Sequence, residues 1–187
     1  MSLTVWTIGH STRPRADFLA VLQRYRIEAL ADVRRFPGSV RNPQYQRAAL
    51  AAALRAAGIE YVALPALGGR RRPAAASPHT AWRHPAFRGY ADHVDGDEFA
   101  AGLFELLMVA RGLRTAVMCA EILWWRCHRR LIADVLVSLG ACVIHIRDGA
   151  NATAHRLAPP ARLDHGVLTY VPARRASDLR PAPGAAA

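Results

Sequence analysis

Lysine is absent from this 187-residue sequence, so all 25 positions counted as Lys or Arg are arginine. Together with the abundance of alanine this reads as a compositional habit, and part of the formal net charge of +11 carries no functional message. Long apolar runs are absent too. The most apolar stretch, residues 99–110, is broken by Gly102 and Glu105. It falls short of the roughly 20 residues that a bilayer demands, which excludes a membrane span. The start of the chain lacks a basic segment followed by an apolar core, so no signal peptide is expected. Cysteine is scarce: Cys119, Cys127 and Cys142 are too few and too unevenly spaced for a disulfide scaffold, and a reducing cytoplasm is the expected location. Hydrophobic residues at 52% against 21% charged exclude a disordered polymer, and the length suits one domain with a real core. No internal repeat is present.

Between Tyr61 and Ala91 there is no Asp or Glu, while Arg70, Arg71, Arg72, Arg83 and Arg88 all fall inside that window. Such a patch favours anionic partners (nucleic acid, nucleotide or phosphorylated metabolite), or is a solvated basic surface and nothing more.

The pattern along the chain alternates strand and helix. A β-branched run over residues 3–8 ends at Gly9, and Ser11 or Thr12 is placed to cap a helix with Pro14 and Asp17 in its first turn. Residues 27–33 read as a second strand, and Asn42-Pro43 opens a helix that runs to Gly58. A third strand follows over 59–64, then a long loop over 65–85, helices over 87–94 and 97–111, and a fourth strand over 115–119. A helix over 127–139, a fifth strand over 142–146 and a short one over 168–171 complete the pattern. The Ala-, Pro- and Arg-rich residues 173–187 read as a disordered tail, leaving a single α/β domain over 1–172. The fold class is therefore α/β: a mostly parallel sheet of about five strands with helices on both faces, in Rossmann-like or rhodanese-like layering. In such folds ligands bind beyond the carboxyl ends of the strands.

The five strands end at Gly9-His10-Ser11, Asp32-Val-Arg34, Pro65, Cys119-Ala-Glu121 and His145, which gathers most of the reactive non-helical side chains at one sheet edge. The segment from Met118 to Arg130 is densest, and it reads strand, loop, helix start. A helix start binds anions and lowers a thiol pKa, so Cys127 or Cys119 is a candidate thiolate nucleophile, or else buried filling. His128 is a candidate acid, base or phosphate donor, or a partner for a backbone carbonyl. Glu121 is either a general acid–base or one half of a structural ion pair with Arg126 or Arg34. Asp32 with His10 offers a second route for protons. Arg34, Arg126 and Arg129 would hold an anion, and Trp124 and Trp125 could stack a base or sugar, unless the two split between core and surface. Cys119, Cys127 and His128 match no familiar zinc spacing, and His145, His155 and His165 recur every ten residues with no structural period behind that interval. No metal and no cofactor are expected.

Six spaced blocks carry a resemblance. Thr7-Ile-Gly-His-Ser-Thr12, Asp32-Val-Arg34 with Phe36-Pro-Gly-Ser39, Asn42-Pro-Gln-Tyr45, Gly58-Ile-Glu-Tyr61, Leu67-Gly-Gly69 and Cys119-Ala-Glu121 through Trp124-Trp-Arg-Cys-His-Arg-Arg130 resemble the family known as domain of unknown function 488. The likeness spans residues 4–157, with a departure at Ser39-Val40-Arg41, where the family has Ser-Arg directly. It implies a compact α/β fold with a polar pocket and no settled reaction. It singles out His10, Ser11, Asp32, Arg34, Pro37, Ser39, Cys119, Glu121, Cys127, His128 and Arg129, with Ser11 and Ser39 joining the arginines as anion-binding candidates. A weaker similarity to the rhodanese and cysteine-phosphatase arrangement lies in Asp-Val-Arg closing one strand and a later strand-Cys-loop-helix unit. Here that loop holds Glu121 and bulky aromatics and no glycine, a poor cradle for an oxyanion. The expected function is an enzyme, a hydrolase or transferase, acting on a nucleotide, a nucleic-acid base or a small anion. The alternatives are a non-catalytic nucleic-acid-binding accessory protein and a metabolite-binding scaffold domain.

Overall fold

The computed structural model describes residues 3–38 and 40–173. The tail expected over 173–187 lies outside the described residues except for Ala173, and so does the anion-binding candidate Ser39. Strands β1 (Thr4–Gly9), β2 (Ala29–Asp32), β3 (Glu60–Ala63), β4 (Thr115–Cys119) and β5 (Cys142–Ile146) pair in parallel in the order β3-β2-β4-β1-β5. A sixth strand, β6 (Ala152–Ala154), joins antiparallel to β5, and β7 (Arg162–Asp164) and β8 (Val167–Thr169) form a separate hairpin. The short strand expected over 168–171 corresponds to β8, while β6 and β7 were not expected. Three residues are too few to carry a period of two, which is why β6 left no pattern to read.

Alternation along each strand sorts the core into two layers. Val5, Ala31, Val117, Cys119 and Val143 face the helices α3 (Pro85–Val94), α4 (Asp97–Gly112) and α5 (Arg129–Ser138). Trp6, Ile8, Leu30, Ala116 and Met118 face α1 (Arg15–Arg24) and α2 (Arg47–Ala56). Helices thus cover both faces of a mostly parallel sheet. Among the described residues no helix is long and apolar enough to cross a membrane.

Three local departures from the sequence reading matter for the site. Helix α1 takes Pro14 as its cap residue with no side-chain cap, and Ser11 instead sits at φ 49° with its N–H on the Ala120 carbonyl. The helix expected from Asn42 to Gly58 is broken: Pro43–Tyr45 forms one 3-10 turn, Gln46 is extended, and α2 starts at Arg47. That break lets Tyr45 turn inward to stack on His10 at 3.9 Å and donate its hydroxyl to the Arg13 carbonyl. At the third, Trp124–Arg126 forms a 3-10 turn and α5 begins at Arg129, so Cys127 is extended and precedes the helix.

The long loop over 65–85 opens with a 3-10 turn at Pro65–Leu67 and is then strapped to α3. The Ala74 N–H and the Ser77 hydroxyl both donate to Asp92, and Trp82 is buried against Phe87. The arginines of the acid-free window over 61–91 are spread over several tasks: Arg71 of the loop pairs with Glu98 at 2.7 Å, and Arg88 of α3 donates to the Trp82 carbonyl.

At its carboxyl end β1 runs directly beneath the backbone that follows β4. A Cβ on Gly9 would lie 2.0 Å from the Glu121 carbonyl oxygen and 2.6 Å from the Ile122 Cα. Backbone atoms on both sides leave no flexible partner to yield. Gly9→Ala is therefore expected to destabilise the fold by about 3 kcal/mol, the upper range for overpacking, read as a lower urea midpoint at unchanged slope.

Candidate active site

The break before α5 brings two cysteines together. Cys119 ends β4 and Cys127 precedes α5, both are buried, and their sulfurs lie 2.8 Å apart. The first N–H of α5, that of Arg129, points at the Cys127 sulfur at 3.5 Å, and His128 Nδ1 lies at the same distance. Burial pushes the Cys119 thiol well above its usual range, and its hydrogen bond to Cys127 adds to the shift. Burial alone would raise Cys127 as well. The hydrogen bond from Cys119, His128 beside it and the Arg129 guanidinium outweigh that and hold Cys127 well below an ordinary thiol. Both shifts favour the same arrangement, a thiolate on Cys127 and the proton on Cys119.

Arg129 supplies the opposing charge. It is 1% exposed, and among the described residues no carboxylate lies within ion-pairing distance of it. Its Nη2 donates to the Glu121 and Ile122 carbonyls and its Nη1 to Thr7 Oγ1. From Thr7 a hydrogen-bonded chain continues through the core. Thr7 Oγ1 meets His145 Nδ1 at 2.7 Å, His145 Nε2 meets His155 Nδ1 at 2.9 Å, and His155 Nε2 meets Asp134 at 2.8 Å. Tyr170 donates to the other Asp134 oxygen at 3.0 Å. With a carboxylate at one end and a guanidinium at the other, each group donates toward Asp134. His145 stays neutral: burial, then His155 and Arg129, lower its pKa to about 3. Sequence reasoning passed over Thr7, Asp134 and Tyr170 and found no structural reason for the ten-residue interval between His145 and His155. The Asp148-Gly149 turn was the missed signal, because it closes a hairpin in which His155 stands opposite Val143, on the face that also carries His145.

A second cluster sits on the other side of the same sheet edge. Asp32 accepts from Arg34 Nε at 2.8 Å and Nη2 at 2.6 Å, from the Arg34 backbone N–H and from the Tyr61 hydroxyl. Burial, and then Asp32, push the Tyr61 hydroxyl up to about 12. His10 Nδ1 donates to the Ser11 carbonyl, which leaves Nε2 to accept from Arg34 Nη1 at 3.2 Å. Asp32 and His10 are thereby occupied in fixing Arg34.

Between the clusters lies a cavity of about 190 Å³ lined by Arg34, Arg35, Phe36, Arg70, both cysteines, Glu121 and His128. Arg35 and Arg70 flank the Phe36 ring. Glu121 is exposed at the rim, where its carboxylate accepts the Leu123 N–H. A second, outer cavity of about 410 Å³ shares Gly69, Arg70, Glu121 and His128 with the first and adds Trp125, Arg126 and Phe87. His128 stands between the two, its ring beside Tyr90 and so close to Gly69 that a Cβ there would lie 2.7 Å from Nδ1. Of the sequence candidates, Cys119, Cys127, His128, Glu121 and Arg34 line the inner cavity and Trp125 and Arg126 the outer one. His10, Asp32 and Arg129 stand behind the walls. Trp124 and Ser11 line neither cavity, and the Trp124 face is covered by His145 at 4.0 Å. Cys119, Cys127 and His128 present ligand atoms within 4.8 Å of one another, a donor set suited to a thiophilic cation that sequence spacing had not suggested; the Arg129 charge opposes such an ion.

The family described as Domain of unknown function DUF488 matches residues 15–136. This chain belongs to that family. No curated protein and no solved structure matches the chain. The DUF488 match covers Asp32, Arg34, Cys119, Glu121, Cys127, His128 and Arg129, while β1 with His10 and the relay histidines lie outside it.

The buried histidines make this DUF488 fold acid-sensitive. Burial, then Arg34 and Arg129, lower His10 to about 4 from 6.5, whereas in the unfolded chain it protonates near 6.5. Between those values the unfolded state binds more protons, so stability present above pH 6.5 is lost as pH falls toward 4. His10 alone accounts for on the order of 3 kcal/mol, and His145 acts in the same direction. Urea unfolding at neutral pH and near pH 4 measures the loss, and His10→Asn is expected to flatten the dependence.

Proposed function

We propose that the chain is an enzyme that acts on a small anion, or on the anionic group of a nucleotide, through nucleophilic attack by Cys127. The observation that carries this reading is the Cys127 sulfur, placed between a helix start and a buried guanidinium that favour its thiolate, at the wall of a cavity that three arginines also line. Arg35 and Arg70 draw an anion to the mouth, and Arg34, immobilised by Asp32 and His10, gives it a fixed direction. The inner cavity suits the reacting group, and the outer one, with Trp125 and Phe87, suits the remainder of a larger substrate such as a nucleotide. Glu121 at the rim is the group available to exchange protons with solvent. A nucleic-acid-binding reading draws less support, since Arg71 and Arg88 are engaged within the fold.

The test is alkylation by iodoacetamide in a Cys142→Ser background, because Cys142 is exposed and would otherwise react. Cys127 is expected to label at a rate that stays flat down to below pH 7, and Cys127→Ser to abolish that labelling. Inorganic phosphate is expected to slow the reaction in the parent and not in Arg34→Met. A rate that rises only above pH 8, as for an ordinary thiol, overturns the proposal.

A further inference from the structure

Cys119 makes no bond to substrate in the attack just described, yet its sulfur lies against the nucleophile. At 2.8 Å it is closer to Cys127 than His128 or the helix N–H, and it lines the same cavity. A thiol that served only as filling would be replaceable by any small apolar group. A thiol in contact with a nucleophilic sulfur can itself attack that sulfur once it has been modified.

We propose that Cys119 is a second catalytic thiol, which resolves the adduct formed on Cys127 as a Cys119–Cys127 disulfide, so that the substrate is an anion with a reducible sulfur–sulfur or oxygen–oxygen bond. This deepens the reading of Cys127 as nucleophile and rests on it. With a disulfide substrate, Cys127 Sγ attacks one sulfur, the substrate S–S bond breaks, and one half leaves as thiolate. Cys119 Sγ then attacks Cys127 Sγ, the mixed disulfide breaks, and the other half departs carrying the Cys119 proton. With a hydroperoxide, Cys127 Sγ takes the terminal OH, the O–O bond breaks, and the leaving alkoxide takes a proton from solvent to depart as an alcohol. Attack by Cys119 on the resulting sulfenic acid releases water. Either way two electrons pass from the dithiol to the substrate, and an external thiol reductant restores the pair.

The electrostatics suit the second step. The site holds one negative charge facing Arg129, whose guanidinium interacts with both sulfurs. Once Cys127 is capped, its charge and its hydrogen bond no longer raise the Cys119 thiol; burial still does, but Arg129 opposes it and favours passing the Cys119 proton to the departing group. Selection against neutral oxidants falls to Arg34, Arg35 and Arg70 at the cavity.

Two oxidants test this on the reduced Cys142→Ser protein: the anionic aromatic disulfide dithiobis-nitrobenzoate, and hydrogen peroxide. With the disulfide, each chain is expected to release about two aryl thiolates, and peptide mapping to find Cys119 joined to Cys127. Cys119→Ser is expected to release one and retain a stable aryl adduct on Cys127. With peroxide, the parent is expected to give the same internal disulfide and Cys119→Ser a trappable sulfenic acid. Faster reaction with the disulfide assigns a sulfur substrate, and faster reaction with peroxide assigns a peroxide. If the parent releases one thiolate and keeps the adduct, the resolving role is wrong while the Cys127 nucleophile stands. No release at all overturns both. Expulsion of a stoichiometric metal ion on adding either oxidant, read with a chromogenic chelator, also overturns the resolving role, because the sulfurs are then ligands.

Discussion

Burying an arginine without a carboxylate is the constraint around which this structure is arranged. A guanidinium taken out of water costs several kcal/mol unless charge and hydrogen bonds replace its hydration. For Arg129 the replacements come from three places: the thiolate of Cys127, two backbone carbonyls after β4, and Thr7 with the histidine chain behind it. Each depends on another element being in register. The carbonyls are in reach because Gly9 lets β1 pass beneath them, and the chain exists because β5 and β6 put two histidines on one face. The cation and the thiolate are mutual conditions: neither would be tolerated at that depth alone.

The two arginines of the sheet edge are therefore unlike in kind. Arg34 is neutralised by Asp32 within its own strand end, and Tyr61 and His10 complete its shell. It contributes direction more than charge. Among the described residues no acid pairs with Arg129, and its charge faces sulfur. A parallel sheet makes this division available because the strand ends converge on one rim while alternate side chains fall on opposite faces. Arg34 sits with Tyr61 on the α2 side, and Arg129 lies beneath the cysteines on the α5 side.

Much of the fold was legible, for reasons tied to particular elements. β4 and β5 were bounded as read because apolar runs met clear breaks at both ends. Helix starts were read less well. Ser11 and Asn42 have capping chemistry, but tertiary contacts use their surroundings otherwise: Ser11 follows a strand end that must cross under Ala120, and the chain after Asn42 must deliver Tyr45 to His10. The gathering of Cys119, Glu121, Cys127, His128 and Arg34 at one cavity was legible from topology alone, since strand ends in a parallel sheet share an edge. What each does there was not. Asp32 and His10 look like a proton-transfer pair in sequence, and only their hydrogen-bond partners reveal that both are saturated. Thr7 and Asp134 were invisible because a buried polar residue on an otherwise apolar strand or helix carries no periodic signature.

The His128 imidazole is a partition one ring thick between two chambers, and it is braced on one side by Tyr90 and on the other by a residue that has no side chain at all. Because the same ring lines both cavities, its rotamer sets how far the two communicate. Under the function proposed above, the length of guest admitted would depend on this one side chain more than on the rigid sheet around it. A change at residue 128 would act twice, once on the partition and once on the Cys127 sulfur that the same ring helps to hold low.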